Sequence, residues 1–221
     1  FRNNFVKRHS VKILTVNRKF HECKTIFLIH SISGLFSQTI IRKRILKFQS
    51  MKVIFATNNA HKLQEVQSLL GNQFELVSLK DIGFEEEIPE TQATIEGNAS
   101  QKSHYIFDRF NMPVFADDTG LEIESSNGEP GVYSARYAGP DCSFQDNCDK
   151  VLKRLNGVSN RSAQFKTVVS LIIDGSETQF EGIVKGEMLE EGRGNDGFGY
   201  DPIFLPKGFK ECFAEMSMQQ K

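Results

Sequence analysis

From residue 51 onward, short apolar runs with the period of strands alternate with runs that have the period of helices. "KVIFAT" is rich in β-forming residues, and Leu63, Val66, Leu69 and Leu70 then follow at helical spacing. "FELVSL" predicts a second strand, residues 94–110 a second helix, and "PVFADDTGLEIES" a third strand with a break. This β-α-β-α-β order predicts an α/β fold with a mixed sheet.

The later part of the chain predicts a more antiparallel arrangement. Apolar residues from Cys148 to Leu155 indicate one more helix, while "FKTVVSLII", "TQFEGIVKGEML" and "YDPIF" are typical of strands joined by glycine-containing turns. No internal repeat or low-complexity linker divides this region. We therefore expect residues 51–221 to form one domain with two lobes.

Residues 1–50 differ in charge from the remainder. They hold 11 of the 27 Lys and Arg residues but one of the 28 acidic residues. They lack a clear amphipathic period, and no run approaches the ~20 apolar residues of a membrane-spanning helix. We interpret them as a basic N-terminal extension outside the working domain, with Met51 as the natural start. A mitochondrial presequence and a nucleic-acid-binding arm remain alternatives.

Composition and cysteine spacing narrow the class of protein. The chain is 39% hydrophobic and 25% charged, which is typical of a soluble globular protein. The four cysteines, Cys23, Cys142, Cys148 and Cys212, form neither a C-x-x-C motif nor a zinc pattern with histidine. A disulfide framework is not expected, and a reducing cytoplasm is the predicted location.

Polar residues crowd the junction between the first strand and the first helix. If Asn59 caps the helix, the first free backbone N–H groups point out of its N-terminus, where the helix dipole adds positive potential. Thr57 adds a hydroxyl and Lys62 a charge, so the junction is suited to a polyphosphate. The alternative is that Asn59 is a helix cap and nothing more. The candidate phosphate contacts are Thr57, Asn58, Asn59, Ala60, His61 and Lys62.

Acidic residues supply a second candidate feature. Glu90 follows an acidic run, and Asp117 and Asp118 lie near the end of an apolar run. Successive side chains of a strand point to opposite faces, so both aspartates could face one cleft only if the strand ended there, as Gly120 suggests. Carboxylates beside a phosphate site repel the ligand unless a divalent cation intervenes, which predicts Mg²⁺.

Two nucleotide-binding motifs are excluded. "GRGNDG" spells G-x-G-x-x-G, but it does not open a long helix, so a dinucleotide site is rejected and a loop is predicted. No G-x-x-x-x-G-K-[ST] sequence occurs, which excludes a P-loop enzyme.

Five segments together carry a family resemblance. "TNNAHK", "IPET", "FADDTGL", "PGVYSARYAG" and "FGYDPIF", in this order and spacing, closely resemble the inosine/xanthosine triphosphate pyrophosphatase family. The resemblance implies an elongated two-lobed mixed sheet with flanking helices and the nucleotide site in the cleft between the lobes. It also implies hydrolysis of ITP, dITP and XTP to the monophosphate and pyrophosphate, Mg²⁺ as cofactor, and a homodimer. No membrane or nucleic-acid partner is expected.

The same resemblance assigns roles to individual residues. Glu90 and Asp118 correspond to the metal-binding acids, and Asp118 is also the proton acceptor. Asn58 stands where family members often have glycine. For Phe198 and Tyr200, packing in the core is the alternative to contact with the base. The implied substrate contacts are Thr57, Asn59, Lys62, Thr119, Phe198, Gly199, Tyr200, Asp201 and Lys221.

Three alternatives to this function stay open, together with one expectation about the end of the chain. Family members continue past the lysine at Lys221 into a Ser-His-Arg motif that helps to read the base, so we expect weak activity and reduced selectivity for dITP over dATP. The alternatives are a pyrophosphatase for other modified nucleotides, a nucleotide-binding module without turnover, and an RNA-associated protein that acts through residues 1–50.

Overall fold

The structure is a computed structural model, and it describes residues 51–59, 62, 63, 66, 67, 74–217 and 220. The predictions for residues 1–50, Ala60, His61 and Lys221 lie outside these residues. Within the described part of the chain, no helix combines the length and the apolar character that crossing a membrane requires.

The core of the fold is one six-stranded sheet. Its strands are β1 (Lys52–Phe55), β2 (Glu75–Val77), β3 (Val114–Ile123), β4 (Ser162–Ile173), β5 (Ser176–Met188) and β6 (Phe204–Pro206). Their order across the sheet is β2-β1-β3-β4-β5-β6. β1 runs parallel to β2 and β3, whereas the pairs β3–β4, β4–β5 and β5–β6 are antiparallel. The predicted mixed sheet and its more antiparallel second half are confirmed.

Two helices begin at polar caps. In α1 (Ile95–Phe110), Thr94 Oγ1 accepts a hydrogen bond of 3.0 Å from the backbone N–H of Gly97. α2 (Phe144–Arg154) begins with a reciprocal capping box between Ser143 and Asp146. Both predicted helices are therefore confirmed. The predicted first helix is supported where it is described, because Lys62, Leu63, Val66 and Gln67 are helical.

The predicted break in the third strand is wrong. β3 pairs with β4 without interruption, and Gly120 lies opposite Lys166 in the ladder. Gly120 is required for another reason, since a Cβ atom there would lie 2.6 Å from the carbonyl oxygen of Gly131. The 3₁₀ segment Gly131–Arg136 thus packs closely against β3.

The strand predicted for "YDPIF" begins later than expected. Asp201–Ile203 forms a short 3₁₀ turn, and β6 starts at Phe204. Pro202 in this turn has no N–H to donate to a sheet ladder, which favours the turn over a strand.

Alternation along the strands separates the apolar residues onto two faces of the sheet. α1 packs on one face. The other face carries two separate apolar clusters. The β1-side cluster contains Val53, Phe55, Val66, Phe115, Val169 and Leu171. The α2-side cluster includes Leu121, Ile123, Cys148, Val151, Phe165, Ile203 and Phe204. Between them on the same face, Asp117, Thr119 and Thr167 form a polar strip.

Candidate functional site

Asn59 caps the helical residues that follow β1, as the sequence predicted. Its side-chain Oδ1 accepts a hydrogen bond of 3.3 Å from the backbone N–H of Lys62. Its carbonyl accepts one of 3.1 Å from the backbone N–H of Leu63. Thr57 Oγ1 accepts a hydrogen bond of 3.2 Å from the backbone N–H of Asn59, while Asn58 is exposed. The helix start is therefore held in place by its own side chains.

The two aspartates of β3 lie just beyond the end of β1. β1 pairs with β3 at Val114 and Phe115, and the backbone N–H of Ala56 makes a last hydrogen bond of 2.8 Å to the carbonyl of Phe115. Asp117 and Asp118 follow after Ala116. Because they point to opposite faces of the sheet, each meets a different lysine at this edge.

Asp117 is paired with the predicted phosphate-binding lysine. Lys62 Nζ lies 2.6 Å from Asp117 Oδ2, and the exposed fractions of the two side chains are 17% and 1%. The other carboxylate oxygen, Asp117 Oδ1, is buried and has no hydrogen-bond partner among the described residues. Buried acceptors of this kind are normally satisfied, so this oxygen is suited to an additional donor or cation.

Glu90 and Asp118 share one ammonium group. Lys102 Nζ, contributed by α1, lies 2.6 Å from Glu90 Oε1 and 3.5 Å from Asp118 Oδ1. Asn98, also on α1, donates a hydrogen bond of 3.2 Å from Nδ2 to Asp118 Oδ2. The two acids predicted to bind the metal are thus brought to one point, on the face of the sheet that α1 covers.

The charged groups at this edge shift one another's pKa values. Burial raises the pKa of Asp118, and the Glu90 carboxylate raises it further. Lys102, Asn98 and Lys62 lower this pKa, but the net shift is upward. Burial alone would lower the pKa of Lys102, but the carboxylates of Asp118, Asp117 and Glu90 raise it overall. Asp118 is therefore the carboxylate with a raised affinity for a proton, a property expected of a general base.

Thr119 lies in the polar strip between the two apolar clusters. Its Oγ1 lies 2.9 Å from Thr167 Oγ1 on the neighbouring strand. Thr167 is almost fully buried, at 1% exposed. The predicted substrate contact is therefore oriented by a hydroxyl partner on β4.

The segment from Phe198 to Asp201 lies with the α2-side cluster and not with the acids. Tyr200 is buried there, and its hydroxyl donates a hydrogen bond of 2.8 Å to the carbonyl of Ser134. Asp201 is buried, with Oδ2 accepting from the backbone N–H of Phe198 at 3.3 Å. This environment favours the core-packing interpretation of Tyr200.

Phe198 has a more open environment than Tyr200. It is half-buried, and its ring centroid lies 6.3 Å from that of the exposed Phe144. Gly199, which follows it, has φ 62°, a left-handed backbone that glycine adopts readily. Phe198 is therefore the more exposed of the two aromatic residues in the predicted segment.

Asn98, Lys102 and Thr167 were not predicted from the sequence as residues of the site. A signal for Lys102 was present, because it lies at helical spacing between Ala99 and Ile106 on the apolar face of α1. A lysine within such a face needs a charged partner, which the acids supply. Thr167 carried no comparable signal in the sequence.

The acids at this edge fit a magnesium ion when a phosphate ligand is also present. Among the described residues, no group of three or more His, Cys, Asp or Glu side chains is arranged to hold a metal. Mg²⁺ is usually held by one or two carboxylates together with phosphate oxygens and water. Glu90 and Asp118 meet that requirement in chemistry and number.

Fold and site together define a mixed α/β protein with a charged site at the carboxyl end of a parallel strand, where such proteins bind ligands. Residues 53–221 match the model of the Ham1 family. The chain belongs to this family.

Curated relatives are 43–52% identical to this chain over the aligned residues. It is 52% identical over 171 residues to the dITP/XTP pyrophosphatase of Flavobacterium johnsoniae, covering 77% of this chain and 89% of the relative. It is 43% identical over 174 residues to the Bacillus subtilis protein of the same name, covering 77% and 88% of the two chains.

Solved structures of Ham1 proteins have a fold similar to that of this chain. The Ham1 protein of Staphylococcus aureus superposes with a TM-score of 0.72 at 36% identity, covering 76% of this chain and 88% of the other. A HAM1 protein from Coxiella burnetii gives a TM-score of 0.71 at 33% identity, with 76% and 87% covered. The predicted family is confirmed.

Proposed function

We propose that this protein is a dITP/XTP pyrophosphatase, which hydrolyses ITP, dITP and XTP to the monophosphate and pyrophosphate. The observation that carries the proposal is the cluster at the end of β1, where a capped helix start and two lysines meet three carboxylates. Curated relatives that are about half identical to this chain bear this name.

The nucleotide would lie along the polar strip, in a cleft between the two lobes. In this proposal the β1-side and α2-side clusters are the cores of the two lobes, and Thr119 lies on β3 between the two clusters. We place the triphosphate at the helix start, within reach of Thr57, Asn59 and Lys62. The base would then extend toward Phe198, whose ring is suited to stacking on a purine.

Glu90 and Asp118 would hold the Mg²⁺ ion. When bound, Mg²⁺ neutralises charge on the phosphate oxygens and polarises the phosphorus for attack. In the protein, Asn98 fixes one oxygen of Asp118, which leaves the carboxylate in a defined orientation for this role.

The residues of the cluster perform the remaining chemistry. Asp118 accepts a proton from a water molecule as the water oxygen forms a bond to the α-phosphorus. The bond from the α-phosphorus to the bridging oxygen breaks, and pyrophosphate leaves with its negative charge balanced by Lys62. In the metal-free protein, burial and Glu90 raise the pKa of Asp118 above that of an ordinary aspartate.

Assembly and location follow the family resemblance and the cysteines. We propose a homodimer, which sedimentation would test. We also propose a reducing cytoplasm, a location supported by the free thiols of Cys142, Cys148 and Cys212 among the described residues.

Pyrophosphate release from dITP tests this function. We expect Mg²⁺-dependent release that stops in EDTA, and a decrease in turnover of at least ~10²-fold in the variant Asp118→Asn. Glu122→Gln is a matched control, because Glu122 projects from the same face of β3 but pairs with Gln164 away from the cluster. Near-normal turnover in Asp118→Asn would contradict the role of Asp118. Faster hydrolysis of modified pyrimidine triphosphates would favour the other pyrophosphatase class.

A further inference from the structure

The ammonium group of Lys102 lies where a cation shared by Glu90 and Asp118 would lie. Its Nζ is 2.6 Å from Glu90 Oε1 and 3.5 Å from Asp118 Oδ1. The Lys102 side chain is 9% exposed, so water screens these charges only weakly. One positive charge therefore already offsets part of the negative charge of the two carboxylates.

The backbone of α1 holds this arrangement in place. Ala99 and Ile106, one turn to either side of Lys102, are fully buried in the core. Asn98 bridges two parts of the site, because its Oδ1 accepts a hydrogen bond of 2.9 Å from the backbone N–H of Gln92 while its Nδ2 donates to Asp118. The lysine and its acidic partners are therefore positioned by a packed helix.

We infer that Lys102 competes with the metal ion for Glu90 and Asp118 in the nucleotide-free protein, so that the metal binds tightly only together with the nucleotide. This inference rests on the proposed function, in which these two acids hold the metal. A triphosphate changes the balance in two ways. It gives the ammonium group new anionic partners, and it gives the metal additional oxygen ligands.

Electrostatic interactions determine whether replacing Lys102 strengthens or weakens metal binding. Two carboxylates facing one site repel each other, and a nearby cation relieves this repulsion. With Lys102 present, an incoming metal gains little, because it must displace a positive charge. With a neutral side chain at this position, the metal alone relieves the repulsion and should bind more tightly. A purely structural role for Lys102 predicts the opposite, since loss of the ion pair would disorder the acids.

Metal binding without nucleotide tests this inference. We would titrate the full chain with Mn²⁺ at pH 8 and follow free Mn²⁺ by electron paramagnetic resonance. We expect Lys102→Met to bind Mn²⁺ at least ~10-fold more tightly than the unaltered chain. Lys102→Arg, which keeps the charge, should stay within ~3-fold of it. Lys166→Met is a matched control, because Lys166 pairs with Glu96 and Glu181 instead of the site acids.

A double variant tests whether the tighter Mn²⁺ binding of Lys102→Met depends on Glu90. In Glu90→Gln combined with Lys102→Met, the tighter binding should be lost, because one of the two carboxylates is gone. If Lys102→Met is unfolded in EDTA, Mn²⁺ should restore its folded state, since the ion replaces the missing charge. Failure to recover would overturn the inference.

Two results would separate this inference from the proposed function. Unchanged or weaker Mn²⁺ binding by Lys102→Met, beside Mg²⁺-dependent dITP hydrolysis by the unaltered chain, would overturn the role of Lys102 alone. Absence of dITP hydrolysis by the unaltered chain would count against the proposed function itself.

Discussion

Asp117 and Asp118 are neighbours in sequence with different electrostatic environments. Asp117 is 1% exposed and forms a close ion pair with Lys62. Asp118 faces α1, where burial and Glu90 together raise its pKa. The difference arises because consecutive residues of a strand point to opposite faces, and a different lysine approaches each face. One aspartate is thereby a fixed partner for a lysine, and the other is suited to accept a proton.

The raised pKa of Asp118 predicts a pH-dependent cost in stability. A carboxyl group whose pKa is higher in the folded state stabilises the fold when protonated, and this stability is lost as pH rises through the raised pKa. Asp118→Asn avoids this loss. We expect the variant to be more stable than the unaltered chain at pH 7, with the difference vanishing as the pH falls toward 4.

Urea unfolding measured across this pH range checks the prediction. Asp146→Asn is a control of opposite sign, because hydrogen bonds from Ser143 lower the pKa of Asp146. That variant should be less stable than the unaltered chain at pH 7, and its deficit should shrink in acid. Lower stability of Asp118→Asn at pH 7 would mean that the charged carboxylate is favoured in the fold.

At the scale of elements, the sequence pattern predicted the helices well, but it predicted a break in β3 wrongly and the start of β6 too early. α1 and α2 were predictable because apolar spacing and polar caps are local signals. The continuity of β3 was not, because Gly120 was interpreted from its neighbours alone. Its actual constraint comes from Gly131, which lies close in space but is separated from it by a turn. Likewise, pairing of Lys102 with Glu90 and Asp118 depends on how α1 packs on the sheet.

Gly120→Ala tests the close approach of the 3₁₀ segment to β3. The new Cβ atom would lie 2.6 Å from Gly131 O and 2.7 Å from Ile95 Cδ1, so the backbone has to shift. We expect a loss of about 1–3 kcal/mol in the free energy of unfolding, which is typical of an overpacked site. Gly192→Ala is the matched control, since its nearest contact would be an ordinary 3.7 Å to Pro202. Equal stability of the two variants would show that β3 and the segment separate readily.

In the whole molecule, the site combines residues that are far apart in sequence. Lys62, Glu90, Lys102 and Asp118 meet because β1 ends early and leaves the edge of β3 accessible to a helix on each face. The sequence predicted three of these four residues, since a helix start and acids that follow an apolar run are recognisable locally. The segment from Phe198 to Asp201, which the sequence also predicted to contact the substrate, lies with the α2-side cluster instead. The proposed nucleotide site would span both positions, with the phosphates bound beside the β1-side cluster and the base beside the α2-side cluster.

The position of water attack is the most direct test of this arrangement. Hydrolysis of dITP in H₂¹⁸O with Mg²⁺, followed by mass spectrometry of both products, shows which phosphorus receives the water oxygen. Because the proposed base and metal-binding acids act at the α-phosphorus, we expect one ¹⁸O atom in dIMP and none in pyrophosphate. Label in pyrophosphate, or release of orthophosphate and dIDP, would contradict attack at the α-phosphorus.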